Sequence, residues 1–239
     1  MEVKECIILA GGKGTRLSAG LPGIPKCLAP LAGKPFLYWL MQYLSAQKIK
    51  RFIFALGHMH EQIEKYLSEE YADRDIIFSV EAKPLGTGGA IRSALKQCTG
   101  AQVWVINGDT IFETDHERML YYHIQNGAAC TLALKPMKNY DRYGSVETDL
   151  SGTIIAFTEK KYTEQGLVNG GVYLVDRMGF EQTKLPEIFS FEKDYVEKYC
   201  GAQKMIGVPD DGYFIDIGIP EDLEKANKEF KLRKDVLNR

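Results

Sequence analysis

The chain has 239 residues, with 30 Lys and Arg against 32 Asp and Glu, a formal net charge of -2, and 45% hydrophobic residues. Such a length suits one large α/β domain or two small ones, burying roughly 70–75% of the unfolded surface. Near-neutral charge argues against a protein that coats nucleic acid, which needs a Lys/Arg surplus. No run approaches the roughly 18 apolar residues of a membrane span, and MEVKECIILAGG is not a signal peptide, so a cytoplasmic protein is expected. The five cysteines are scattered, with no C-x-x-C pair, which suits free thiols in a reducing compartment.

Periodicity predicts strands near 5–10, 52–56, 76–80, 102–107 and 128–135. These alternate with helices near 36–47, 59–70, 88–98 and 115–126. Alternation of this kind predicts a mostly parallel sheet. Beyond Lys135 the pattern turns to hairpin-like segments at 143–148, 153–159 and 167–175. A helix at 190–199, a strand near 213–217 and a charged helix over 219–235 follow, the last with Pro220 at its start. The expected fold is α/β, one domain over 1–239. A doubly wound half (1–135) would carry a nucleotide at its strand C-termini, and an antiparallel half (136–239) would cover a second ligand.

The strongest local signal is Leu9-Ala10-Gly11-Gly12-Lys13-Gly14-Thr15-Arg16-Leu17, directly after the apolar run Cys6-Ile7-Ile8. Glycines permit close backbone approach, and Lys13 and Arg16 add the charge that a polyphosphate requires. A dinucleotide fingerprint fails because Leu17 stands where glycine is needed and no Asp or Glu occurs from Cys6 to His60. The P-loop fails because Gly-Thr-Arg is not Gly-Lys-Ser/Thr. A plain tight turn is the alternative. The acid-free stretch carries Lys13, Arg16, Lys26, Lys34, Lys48, Lys50 and Arg51, a local anion-attracting surface; the last three read as charges at a helix end.

Asp109 follows the apolar strand Val103-Trp104-Val105, where α/β sheets place ligands, and Asp216 lies in Phe214-Ile215-Asp216-Ile217-Gly218. Each alone could cap a helix; both beside a phosphate loop favour a Mg²⁺ site. Glu159-Lys160 and Asn169-Gly170-Gly171 offer partners for sugar hydroxyls and phosphate, although an acid–base pair on a strand end is also an ordinary solvated pair. The histidines, His58, His60, His116 and His123, read as surface or capping residues rather than bases.

Taken in order, Leu9 to Leu17, Pro25-Lys26, Pro84-Leu85-Gly86-Thr87-Gly88-Gly89, Asn107-Gly108-Asp109, Arg142-Tyr143-Gly144, Glu159-Lys160, Asn169-Gly170-Gly171 and Asp216-Ile217-Gly218 resemble the sugar-1-phosphate nucleotidyltransferase family. The resemblance implies a Rossmann-like mixed sheet of GT-A type, without the C-terminal β-helix of longer members. It also implies Mg²⁺-dependent attack of a sugar 1-phosphate on the α-phosphorus of a nucleoside triphosphate. Gly11, Gly12, Gly14 and Thr15 would cradle the triphosphate, with Arg16 on the leaving phosphates and Lys26 bridging the reacting ones. Asp109 and Asp216 would hold Mg²⁺. Lys160, Glu159, Gly144 and Asn169 would hold the sugar phosphate, in a pocket shaped by Arg142, Tyr143, Glu192 and the 161–166 loop.

The base would lie against Leu9, Ala10, Pro84, Gly86 and Thr87, with Glu81 just before Pro84. A carboxylate at Glu81 can accept from guanine N1–H and its 2-amino group, which favours GTP. Within the family the Pro-Leu-Gly-Thr-Gly-Gly-Ala segment looks most like the branch that transfers guanylate to heptose 1-phosphate, with mannose-1-phosphate guanylyltransferases and uridylyl- or thymidylyltransferases as rivals. A GT-A glycosyltransferase would need Asp-x-Asp, and Asp109-Thr110-Ile111 lacks the second acid. A silent sensor subunit would be expected to lose Arg16, Lys26, Asp109 or Asp216, all of which are present. A homodimer or larger homo-oligomer is compatible with the pair Tyr121-Tyr122, which equally suits a helix face.

Overall fold

The computed structural model describes residues 2–12, 22–158 and 161–237. Its first half is a parallel sheet of β6 (Gln102–Asn107), β1 (Glu5–Leu9), β4 (Arg51–Leu56) and β5 (Asp75–Val80), in that spatial order. The apolar runs of β6, β1 and β4 are buried on both faces, as expected of parallel strands covered by helices, whereas β5 at the sheet edge is only half-buried. Alternate residues divide between two cores. Cys6, Ile8, Phe52, Phe54, Trp104 and Ile106 face one, and Ile7, Ile53, Ala55, Val103 and Val105 face the other.

Helix α1 (Phe36–Ala46) follows a two-residue ribbon of β2 (Pro30–Leu31) and β3 (Lys34–Pro35). It buries Phe36, Leu37, Leu40, Met41 and Leu44, one face of a helix, in the first core. Helix α2 (His60–Glu70) adds Ile63 and Leu67 to the same layer. On the opposite face, α3 (Gly86–Leu95) contributes Ile91, Ala94 and Leu95. Strand β7 (Thr110–Phe112) then leads to α4 (His116–Asn126), which Asp115 caps by accepting from Arg118 N at 2.9 Å and Gly127 ends at φ +55.

The second half extends the sheet antiparallel. The long β11 (Thr163–Asp176) pairs with β6 along its C-terminal part and with β9 (Ser145–Thr148) along its N-terminal part. Its other edge pairs with β8 (Cys130–Tyr140), and β10 (Ile154–Thr158) closes a hairpin on β9. The rest comprises α5 (Arg177–Gln182), a π-helical turn (Phe191–Glu197), β12 (Met205–Pro209) parallel to β8, β13 (Phe214–Asp216) paired with β7, and α6 (Pro220–Leu237).

The doubly wound mixed sheet matches expectation, with specific differences. Strand β8 runs five residues past Lys135, because Met137, Lys138 and Tyr140 find partners on the N-terminal part of β11. Strands β7 and β12 and helix α5 were not expected. The predicted helix at 190–199 begins as a π-helical turn, and α3 starts two residues earlier than its periodicity suggests. Arg51 is a strand residue rather than a helix-end charge, with its guanidinium 3.7 Å from Glu5 and 3.8 Å from Asp75. All five cysteines are buried free thiols. Among the described residues no helix is long and apolar enough to cross a membrane.

Candidate active site

Strand order reverses at β1, whose Leu9 pairs with Ala55 of β4 on one side and Asn107 of β6 on the other. That switch point opens a crevice at the strand C-termini, the place where open α/β sheets bind ligands. Here the crevice is a cleft of about 810 Å³ lined by Leu9, Ala10, Gly11, Gly12, Lys26, Glu81, Pro84, Gly86, Thr87 and Asp109 among others. Gly108 lets β6 cross β1 closely: its N–H donates to Leu9 O at 2.9 Å, and a Cβ there would stand 2.7 Å from the same oxygen. Gly14, Thr15, Arg16, Glu159 and Lys160 lie outside the described residues.

At the floor of the cleft, Lys26 opens a single 3₁₀ turn after Pro25. Its ammonium is bonded to Asp109 Oδ2 and lies 3.7 Å from Asp216 Oδ1. The ribbon of β7 and β13 brings the two acids together by setting Asp216 opposite Thr110, and Ile217 N donates to Asp109 O at 3.0 Å. Neither acid caps a helix. Asp109 leads into a strand, and Asp216 Oδ1 accepts from Gly218 N at 2.6 Å. Burial and then the charge of Asp109 push the Asp216 carboxyl above its ordinary range, opposed by Lys26 and the Gly218 N–H. Two carboxylates, one from the turn between β6 and β7 and one from the end of β13, converging on one ammonium are an oxygen donor set suited to Mg²⁺. That ion typically takes one or two carboxylates and completes its shell with water and substrate phosphate.

Away from Lys26 in the same cleft, Glu81 N donates to Leu56 O at 2.9 Å, which ties the residue to the end of β4. Its Oε2 accepts from Leu85 N at 3.0 Å, and Oε1 sits 2.7 Å from where a Cβ on Gly57 would be. The glycine therefore leaves room for a carboxylate held in one orientation. Gly86, at φ +74, and Gly88 let the start of α3 press against Phe189, and Gly89 does the same at Glu187 O. Arg92 clamps that loop from α3, bonding the carbonyls of Leu185, Pro186 and Glu187 and stacking 4.7 Å over the Phe189 ring. His58 and His60 also line the cleft, and His60 Nδ1 is 3.1 Å from Glu64 Oε1.

Gly144 and Asn169 meet on the antiparallel side, where Asn169 N donates to Gly144 O at 3.2 Å. A bulge between Asn169 and Tyr173, with Gly171 at φ +71, breaks the pairing of β11 with β8 and lays Gly171 over Asn107. Arg142 is committed elsewhere, bonding Asp222 of α6 at 2.6 Å. Tyr143 packs edge-on against Phe214, next to Asp216.

Residues 5–232 match the family model described as nucleotidyl transferase. The chain belongs to that family. This nucleotidyltransferase is 47% identical over 227 residues to the D-glycero-alpha-D-manno-heptose 1-phosphate guanylyltransferase of Aneurinibacillus thermoaerophilus, covering 95% of this chain and 98% of that one. It is 43% identical to the enzyme of the same name from Campylobacter jejuni, covering 91% and 96%. Among solved structures it resembles HddC from Yersinia pseudotuberculosis complexed with GMP-PN, with a TM-score of 0.86 and 34% identity over 96% of this chain and all of that one.

The histidine expectation needs correction. His116 and His123 are interior residues, 6% and 2% exposed, because their helix turns that face onto Trp104 and Thr131. His58 and His60 border the nucleotidyltransferase cleft. Tyr173, which links Asn169 to Glu192, was not singled out from sequence. In an apolar strand it reads as core, and only the neighbouring Gly-Gly pair hints at a bulge.

Proposed function

We propose that the protein transfers guanylate from GTP to D-glycero-α-D-manno-heptose 1-phosphate, giving the nucleoside-diphosphate sugar and pyrophosphate. The observation that carries the reaction class is Lys26 between Asp109 and Asp216 in the switch-point cleft. The relatives at 47% and 43% identity, matched over nearly their whole length, support the substrate pair. So does a carboxylate at Glu81, which can accept both guanine donors that a pyrimidine lacks.

An oxygen of the sugar 1-phosphate attacks the α-phosphorus. A P–O bond forms, and the bond to the β-phosphate oxygen breaks with its electron pair leaving on pyrophosphate. No covalent enzyme intermediate is required, so the protein's work is positioning and charge neutralisation. Lys26 neutralises charge growing on the α-phosphoryl oxygens, while Gly11 and Gly12 let the backbone approach the phosphates. Asp109 and Asp216 would hold Mg²⁺, which when bound supplies a divalent charge against the phosphate oxygens. Gly14, Thr15 and Arg16 complete the phosphate loop in this reading; Glu159, Lys160, Gly144 and Asn169 receive the sugar phosphate.

The test is pyrophosphate release with GTP, UTP, CTP, dTTP and ATP, each against heptose, mannose, glucose and N-acetylhexosamine 1-phosphates. Release that needs GTP and the heptose phosphate together is the expected result. Equal or better turnover of UTP would overturn the base assignment, and release insensitive to EDTA would remove the metal role of the two aspartates.

A further inference from the structure

A directed chain of hydrogen bonds runs from Asn169 on β11 to Glu192 and Thr87, which line the cleft. Asn169 Nδ2 donates to Tyr173 Oη at 2.7 Å, and Tyr173 in turn donates to Glu192 Oε1 at 3.4 Å. Glu192 Oε2 also accepts from Thr87 Oγ1 at 2.9 Å and Ser190 Oγ at 3.1 Å, and Thr87 Oγ1 accepts from Phe191 N at 2.8 Å. Tyr173 is fully buried on β11, with its ring edge-on to Phe191 at 4.9 Å.

The direction of that chain is set at one end. A carboxylate only accepts, so Glu192 takes the single phenolic proton of Tyr173, and the phenol oxygen must then accept. Asn169 meets it with its amide nitrogen, which leaves Oδ1 to accept from Gly171 N at 3.1 Å. Both ends of the Asn169 amide are thereby assigned, and the remaining N–H and the second lone pair of Oδ1 are presented in one arrangement. A polar group with a rigid partner on each side holds its orientation at little cost when a ligand arrives.

We infer that Tyr173 is a positioning residue for the sugar phosphate: under the charge of Glu192 it fixes the orientation of the Asn169 amide. This rests on the reading above in which Asn169 meets the sugar phosphate. Tyr173 touches no substrate and acts through Asn169.

The test is Tyr173→Phe, alone and combined with Asn169→Ala, with KM for each substrate measured separately. Alone it should raise KM for the sugar 1-phosphate roughly five- to tenfold while KM for GTP stays within about twofold, the scale of one hydrogen bond. In the Asn169→Ala background the same substitution should add nothing, because the residue it positions is gone. A second readout needs no substrate. The Asn169 side-chain amide, assigned in NMR spectra by its loss in Asn169→Ala, should exchange slowly with solvent in the parent and quickly in Tyr173→Phe.

An equal rise in sugar KM with and without Asn169, or an unchanged sugar KM with an unchanged amide signal, overturns the inference. If the parent releases no pyrophosphate with any substrate pair, the proposed function falls, and the amide signal still decides the role of Tyr173. Should Tyr173→Phe fail to fold, Glu192→Gln carries both readouts: its amide can donate to Tyr173, so the orientation of Asn169 is released and sugar KM should again rise.

Discussion

The ammonium of Lys26 is bonded to the carboxylate of Asp109, 83 residues further along the chain, and the two meet where β6 leaves the sheet. The contact places one positive charge against two acids, since Asp216 is 3.7 Å away on its other side. Such an ammonium can turn to phosphate oxygens once a cation relieves the carboxylates. Lys26→Met should therefore lower kcat by about 10²–10³-fold, the usual loss when one donor to a developing charge is removed. Pyrophosphate release measured at saturating substrates checks this. A kcat near that of the parent would remove Lys26 from the chemistry.

Glu81 is held by Leu85 N and has its other oxygen beside Gly57. Glu81→Gln keeps the volume but replaces one acceptor with a donor, which would face a guanine donor. The ratio of kcat/KM for GTP to that for UTP should drop by about tenfold or more, the cost of a mispaired buried donor. The paired measurement on parent and variant decides it. An unchanged ratio would place base selection elsewhere in the cleft.

Gly86 sits at φ +74, and a Cβ there would press on the backbone carbonyl of Phe189, with the carbonyl carbon at 2.9 Å. Backbone on both sides leaves no flexible side chain to give way. Gly86→Ala should destabilise the protein by about 2–4 kcal/mol, from left-handed strain and overpacking together. Because the start of α3 lines the cleft, GTP affinity should fall as well. Urea unfolding gives the first number. A variant as stable as the parent would mean that the loop carrying Phe189 moves aside freely.

Local signals carried most of what the sequence revealed. The strands β1, β4 and β6 are apolar runs covered on both faces, so each is visible without its partners, and α1 shows its buried face through spacing alone. The elements missed depend on distant pairing. Met205–Pro209 is a five-residue run ending in proline that becomes a strand only because Cys130 to Leu134 lie alongside it, and β7 is three residues long and needs β13. The site divides in the same way. Lys26, Asp109 and Asp216 stand in recognisable contexts, but their convergence is a product of the β7–β13 ribbon. Glu192 was legible as a polar residue near the pocket; its pairing with Tyr173 and Thr87 depends on a bulge and a π-helical turn that no short-range pattern encodes.

The two interior histidines predict how stability responds to acid. His116 lies flat on Trp104, with ring centroids 4.3 Å apart, and neither of its nitrogens has a hydrogen-bond partner among the described residues. Burial pushes its pKa down to about 4, with Asp115 opposing. His123 is also pushed down to about 4 by burial, with Asp176 opposing, although its Nδ1 has Thr131 at 3.0 Å. A histidine whose folded pKa lies below the unfolded value of about 6.5 leaves the unfolded chain binding the proton first, so stability is complete above that pH and lost as pH falls toward 4. Between about pH 7.5 and pH 4.5 each residue should cost roughly 2–3 kcal/mol by this linkage. His116→Phe keeps an aromatic ring on Trp104 and removes the titration, so urea unfolding at those two pH values should show a smaller acid loss in the variant by about that amount. Equal losses in parent and variant would mean that His116 gains a partner or solvent on protonation.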